Sequence, residues 1–180
     1  PAFAEGTSFH DNKSMEIANP TSLLVDIIHS VFNIRGDFTY KAIRAQRQRS
    51  ENQYTFYTGL NASGKDYNDS SFEDWRYDTD YISANMVGTY TPKLADGHNL
   101  NIIAGWNLED SQYKTQKTYR TGNLYPSKPG FTLMDGEYYS TLSGGNSWGL
   151  IGAFSRINYN YKNRYLSEIS VRYDGSSKFP

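Results

Sequence analysis

From Ala153 onward the side chains alternate with period two through two successive arms, and that pattern narrows what the chain can become. Ala153, Ser155, Ile157, Tyr159 and Tyr161 fall on one side, and Arg156, Asn158, Asn160 and Lys162 on the other. Past a tight turn expected at Asn163-Arg164, Ile169, Val171 and Tyr173 again oppose Glu168, Ser170, Arg172 and Asp174. Successive side chains of an extended strand point to opposite faces, so this is a ribbon with one apolar and one polar face. Each arm is roughly 10 residues, the length of a tilted strand that crosses a bilayer. The second arm stops at Asp174-Gly175, a dipeptide suited to a turn.

The same alternation recurs upstream. Val31–Ala42 sets Phe32, Ile34, Gly36, Phe38, Tyr40 and Ala42 against Asn33, Arg35, Asp37, Thr39 and Lys41. Tyr81–Pro92 and Asn99–Glu109 form a further hairpin around Ala95-Asp96-Gly97-His98, with Ile82, Ala84, Met86 and Tyr90 matched by Leu100, Ile102, Ala104, Trp106 and Leu108. Ile43–Tyr57 departs from the pattern, because Arg and Gln occupy both faces; either residues are absent near Ile43 or this arm projects beyond a membrane. Thr21–Ile28 is short enough to suit a helix or a buried strand, and a loop packed on neighbouring strands is the reading adopted. Stretches 59–80 and 110–147 read as long loops rich in turn formers. Short turns at one end and long loops at the other suit a transmembrane barrel. That arrangement puts Ala42–Ile43, Lys93–Asn99 and Lys162–Arg164 on the periplasmic side and the long loops outside the cell.

Composition sets outer bounds. The 180 residues carry 18 basic and 19 acidic side chains, a formal net charge of −1, so no basic face for nucleic acid is expected. With 0 cysteines there are no disulfides and no Cys-ligated metal. Hydrophobic residues make up 37% while tyrosines number 16, and no run approaches the ~18 apolar residues of a spanning helix. Composition alone favours a soluble, Tyr-rich β-sandwich; a barrel whose strands are polar on one face is also compatible. The chain opens at Pro1 without a charged-then-apolar leader and closes at Pro180 directly after a strand, and both ends are expected to be cuts through a larger protein.

The ordered phrase Arg156, Asn158, Tyr159, Tyr161, Lys162, Arg164, Tyr165, Leu166, Glu168, Arg172, Asp174, Gly175, Ser176, Ser177 and Phe179 resembles the barrel segment of SusC/RagA-type TonB-dependent transporters. A weaker second phrase is Asn19-Pro20-Thr21-Ser22-Leu23-Leu24. The resemblance implies an all-β fold: part of an antiparallel transmembrane β-barrel, about six strands of a larger wall, with long outer loops and tight inner turns. Residues 1–180 would be one barrel segment, with no counterpart of the plug domain in this chain. It further implies active transport of a glycan or oligopeptide nutrient across a Bacteroidetes-like outer membrane. The implied partners are a SusD-like surface lipoprotein, TonB acting through other parts of the protein, and outer-membrane lipid. The alternative reading is a soluble extracellular glycan-binding β-sandwich module.

Enzymatic constellations are not expected. His10, His29 and His98 sit in separate segments without metal-protease or nucleophile spacing. The adjacent acids Glu73/Asp74 and Glu109/Asp110 would point to opposite faces of a strand and so cannot share one bond. Asp66, Asn68, Ser70 and Asp74 space oxygen atoms somewhat like a calcium loop, but the mid-loop glycine and distal glutamate are lacking, so a solvated loop without metal or other cofactor is expected. What remains is ligand contact. Trp75, Tyr77, Tyr119, Tyr125 and Tyr139, placed on outward loops near Asp and Asn, offer flat faces for a sugar or peptide; packing between loops is the competing role.

Overall fold

The two alternating arms at the C-terminal end pair antiparallel as β7 (Tyr138–Tyr161) and β8 (Tyr165–Ser176), with Ile157 opposite Ile169, Ser155 opposite Val171 and Arg156 opposite Ser170. The turn between them is one residue earlier than expected: Lys162 and Asn163 carry positive φ angles of 50° and 56°, and the Arg164 N–H donates to the Tyr161 carbonyl. Two left-handed central residues match the twist of a tight hairpin. Asn160 and Asn163 brace it by exchanging hydrogen bonds of 2.7 and 2.9 Å.

This computed structural model describes residues 8–57, 59–60, 63–67, 70–125 and 127–178, without the side chains of 56, 65–67 and 138–143. Upstream of the hairpin lie β1 (Phe9–Ile28), β2 (Phe32–Glu51), the short β3 (Tyr54–Phe56) and β4 (Lys65–Tyr67), then β5 (Ser71–Tyr90) and β6 (His98–Thr121). The six long strands form one antiparallel sheet in the order β1-β2-β5-β6-β7-β8, and β3 pairs with β4 apart from it. The all-β expectation and the count of about six strands hold.

Several boundaries differ. Thr21–Ile28 is the end of β1, not a loop; Pro20 is accommodated because β1 is an edge strand of this sheet, where a missing N–H is tolerated. The turn preceding β2 is at 29–31, with Ser30 at φ 59°, so Ala42–Ile43 lies mid-strand and not at a turn. β2 runs unbroken to Glu51, which accounts for the doubly polar arm as a strand extension. The stretches read as loops are largely strand as well: β5 starts at Ser71, β6 runs to Thr121 and β7 starts at Tyr138. These extensions carry polar residues on both faces, and without a uniformly apolar face period two is invisible.

The chain divides into two compact units. One comprises Ile17–Ala42, Thr79–Gln112 and Asn146–Pro180 and contains the tight turns. Many of its apolar side chains remain uncovered on one face, with Leu23 at 65%, Ile169 at 60% and Tyr173 at 78% exposure. Its opposite face is tightly furnished. Gly105 lets Phe154 and the Met86 carbonyl approach its backbone, and Gly152 leaves room for the Asn107 and Asp174 side chains.

The other unit comprises Pro1–Glu16, Ile43–Asp78 and Tyr113–Gly145. A small cluster anchors it: Phe72 and Met134 are buried, and Phe131 packs on Phe72 with ring centroids 4.8 Å apart. Polar atoms stitch its connections together. Asn123 Nδ2 donates to Asn52 Oδ1 at 2.7 Å, the Asn123 N–H donates to Ser70 Oγ at 2.8 Å, and Arg120 donates to the Phe131 carbonyl at 2.6 Å. Among the described residues, Ala42, Phe72 and Met134 are the buried apolar side chains of the whole chain.

Candidate functional site

Within the second unit, β5 sorts its residues by parity. Phe72, Asp74, Arg76 and Asp78 share one face, and Glu73, Trp75 and Tyr77 share the other. The even face is a charge ladder against β2. Asp74, nearly buried, accepts from Gln46 Nε2 at 2.5 Å and Gln48 Nε2 at 3.0 Å on one oxygen, and from Arg76 Nε at 3.1 Å on the other. Arg44 Nε lies 3.5 Å from Asp78. Arg44, Gln46 and Gln48 of β2 are thereby matched by acids of β5.

The odd face builds the candidate site. The rings of Trp75 and Tyr77 are parallel within 5°, their centroids 6.2 Å apart. From the neighbouring β6, Lys117 reaches across so that its Nζ lies 4.6 Å from the Trp75 ring centroid and 5.4 Å from that of Tyr119. The same ammonium lies 3.2 Å from Glu73 Oε1, and Trp75 Nε1 donates to Glu73 Oε2 at 3.3 Å. Both carboxylate oxygens are therefore engaged by partners on the same face.

Electrostatics fix the charge state. Burial is the largest single influence on Glu73 and pushes its pKa up, yet hydrogen bonds from Trp75 and Lys117, with the charges of Lys117 and Arg49, outweigh it and hold the carboxyl below its ordinary value. At neutral pH the cluster is thus an ammonium–carboxylate pair set among three aromatic rings.

Of the five aromatic residues expected at the site, Trp75, Tyr77 and Tyr119 are brought together here, on strands β5 and β6 and not on loops. Tyr125 does lie in a loop, after β6, at 58% exposure. Tyr139 belongs to β7, not to a loop, and its side chain lies outside the described residues. Lys117 and Glu73 were missed as site members. The alternation Thr115, Lys117, Tyr119 was present, but with polar residues between it gave no contrast. Glu73 and Asp74 do point to opposite faces, as adjacency in a strand requires. The calcium-like spacing is not realised by its described members: Asp74 is held by Gln46 and Gln48, and Ser70 Oγ accepts from Asn123. Asn68 and the side chain of Asp66 lie outside the described residues.

No family model matches the chain. Over 121 residues, or 62% of its length, it is 30% identical to a TonB-dependent receptor of Formosa agariphila, of which the matched part is 11%. Its fold is similar to the RagAB peptide importer in the open-open state, with a TM-score of 0.78 at 14% identity over 98% of this chain and 19% of that one. The closed-closed state of the same importer gives a TM-score of 0.71 at 16% identity over 98% of this chain and 19% of that one. The chain thus spans only a fraction of the length of the relatives it matches, between 11% and 19%. The sequence relative and the structural neighbours meet on the family that the Arg156–Phe179 phrase resembles, and the chain has the fold of a stretch of SusC/RagA-type TonB-dependent transporter barrel wall.

Proposed function

We propose that the chain is part of the wall of an outer-membrane nutrient transporter energised through TonB, and that its polar outer strands contribute to the ligand-entry vestibule. The observation that carries this reading is the uncovered apolar face. Val25, Phe38, Met86, Trp106, Ile151, Ile157, Ile169 and Val171 are all exposed, with Val171 at 65%. A water-soluble domain seldom leaves so extended an apolar stripe bare, whereas hydrocarbon covers it at no cost. A glycan-binding sandwich needs that stripe closed over by a facing sheet. The shape of RagAB, named as a peptide importer, supports passage of an oligopeptide; a glycan is the other cargo the family resemblance implies.

On this reading the chain contributes lipid-facing wall, lumen lining and binding surface; its part is capture and passage, not bond chemistry. Trp75, Tyr77 and Tyr119 form the contact platform, with Tyr125 and Tyr139 as further outer contacts. A SusD-like lipoprotein would cover the outer end, and TonB would act through other parts of the protein. The test is uptake by cells carrying the full-length protein with Trp75→Ala and Tyr119→Ala together. Growth on oligopeptide or oligosaccharide as sole nutrient should fall while the amount in the outer membrane stays unchanged. Unimpaired uptake of both would remove the platform from the transport path.

A further inference from the structure

Resting on the reading that the β5/β6 cluster meets cargo, we propose that it is a cation-recognition cage whose resident occupant is Lys117. The cargo group that it takes in exchange is the ammonium of a lysine side chain in an oligopeptide. The geometry is that of a cage: one ammonium lies 3.2 Å from a carboxylate oxygen, 4.6 Å from the Trp75 centroid and 5.4 Å from the Tyr119 centroid. Both rings are within the ~6 Å at which a ring face attracts a cation. Glu73 is oriented for the task, since its second oxygen is held by the Trp75 N–H at 3.3 Å. Arg49, the other cation whose charge reaches Glu73, is paired with Glu51.

Charge balance selects the cargo. A neutral sugar stacking on Trp75 would displace Lys117 and leave the Glu73 carboxylate, 20% exposed, without its ion-pair partner. An incoming ammonium replaces one cation with another and keeps both the ion pair and the ring contacts. Lys117 is built to yield: its side chain is a flexible four-carbon stem, 28% exposed, whose charge is readily rehydrated when it swings out. The resident lysine then acts as an internal competitor that sets the threshold for cationic cargo.

The experiment titrates purified full-length protein in detergent with short synthetic oligopeptides, blocked at both ends, that differ at one central residue, Lys or Gln. The wild type should prefer the Lys peptide. Lys117→Met, which keeps the stem and removes the charge, should tighten the Lys peptide about fivefold and move the Gln peptide less than about twofold. Glu73→Gln, nearly isosteric, should weaken the Lys peptide about fivefold or more and erase the preference. Equal shifts for both peptides in Lys117→Met, or a preference that survives Glu73→Gln, would overturn the cage. If neither peptide binds while an oligosaccharide is bound and taken up, the cage falls and the transporter reading stands. If no cargo of either class is bound or taken up, the transporter reading falls with it.

Discussion

At the scale of single residues, Glu73 makes the candidate site answerable to pH. Its folded carboxyl titrates below the ordinary value of 4.5 despite burial, because Trp75 and Lys117 favour the charged form. A folded pKa below the unfolded one gives a contribution to stability that is fully present above the unfolded value and is lost as pH falls through the folded one. Melting of the full-length protein between neutral and acidic pH should therefore decline less steeply for Glu73→Gln than for wild type. The site is partly solvated, so the difference at neutral pH should stay under about 1 kcal/mol; identical slopes would show that the pair adds nothing. Gly105 gives a sharper steric test. A Cβ there would come within 2.5 Å of the Met86 carbonyl oxygen and 2.8 Å of Phe154 Cζ, and a backbone atom cannot swing aside. Gly105→Ala should cost ~1–3 kcal/mol in urea unfolding from micelles. Gly36→Ala, where a Cβ meets nothing within 4 Å, should be close to neutral. Equal effects at the two positions would disprove the close approach.

At the scale of elements, the β7–β8 hairpin separates an apolar from a polar face within one pair of neighbours. Ile157 shares a face with its cross-strand partner Ile169, and Asn158 shares the opposite face with Glu168. Ile157→Lys should destabilise the assembled protein by ~2–4 kcal/mol if its face meets hydrocarbon near mid-depth, and Asn158→Lys, beside an acid, should be nearly silent. Heat-modifiable migration of membrane-extracted protein reads both; comparable tolerance at 157 and 158 would deny the sidedness. This hairpin was also the most legible part of the sequence, because one face of each arm is apolar and strict alternation follows. Legibility ended where that contrast ended. Ile43–Glu51, Ser71–Asp80 and Gln112–Thr121 are strands that carry polar residues on both faces, held by ladder bonds and by pairs such as Asp74 with Gln46 and Lys117 with Glu73. Such pairs join residues far apart in the chain, so no local period announces them. For the same reason the sequence offered Trp75, Tyr77 and Tyr119 as separate loop aromatics, and only the strand pairing brought them to one face with Lys117.

At the scale of the whole molecule, the sheet order leaves β1 and β8 each with one neighbour. An unpaired strand edge presents a row of N–H and C=O groups that template association with another chain. Here the edges adjoin apolar surface: Leu23 and Ile27 of β1 are exposed, and β8 exposes Ile169 at 60%, Val171 at 65% and Tyr173 at 78%. A soluble domain of this size stabilises itself by burying most such side chains, and among the described residues only Ala42, Phe72 and Met134 are buried apolar groups. Two deficits therefore coincide, in hydrogen bonding along the edges and in hydrophobic burial across one face. Detergent remedies only the second of them. Residues 1–180 expressed alone should then associate or precipitate in water and should still lack cooperative melting in micelles. The full-length protein in the same micelles should melt cooperatively, because the neighbouring strands of a closed barrel complete both edges. Sedimentation and calorimetry on the two proteins decide the matter. A monomeric 1–180 with a sharp transition in detergent-free buffer would mean that the apolar face has found a protein covering, and the barrel-wall reading would fail at its base.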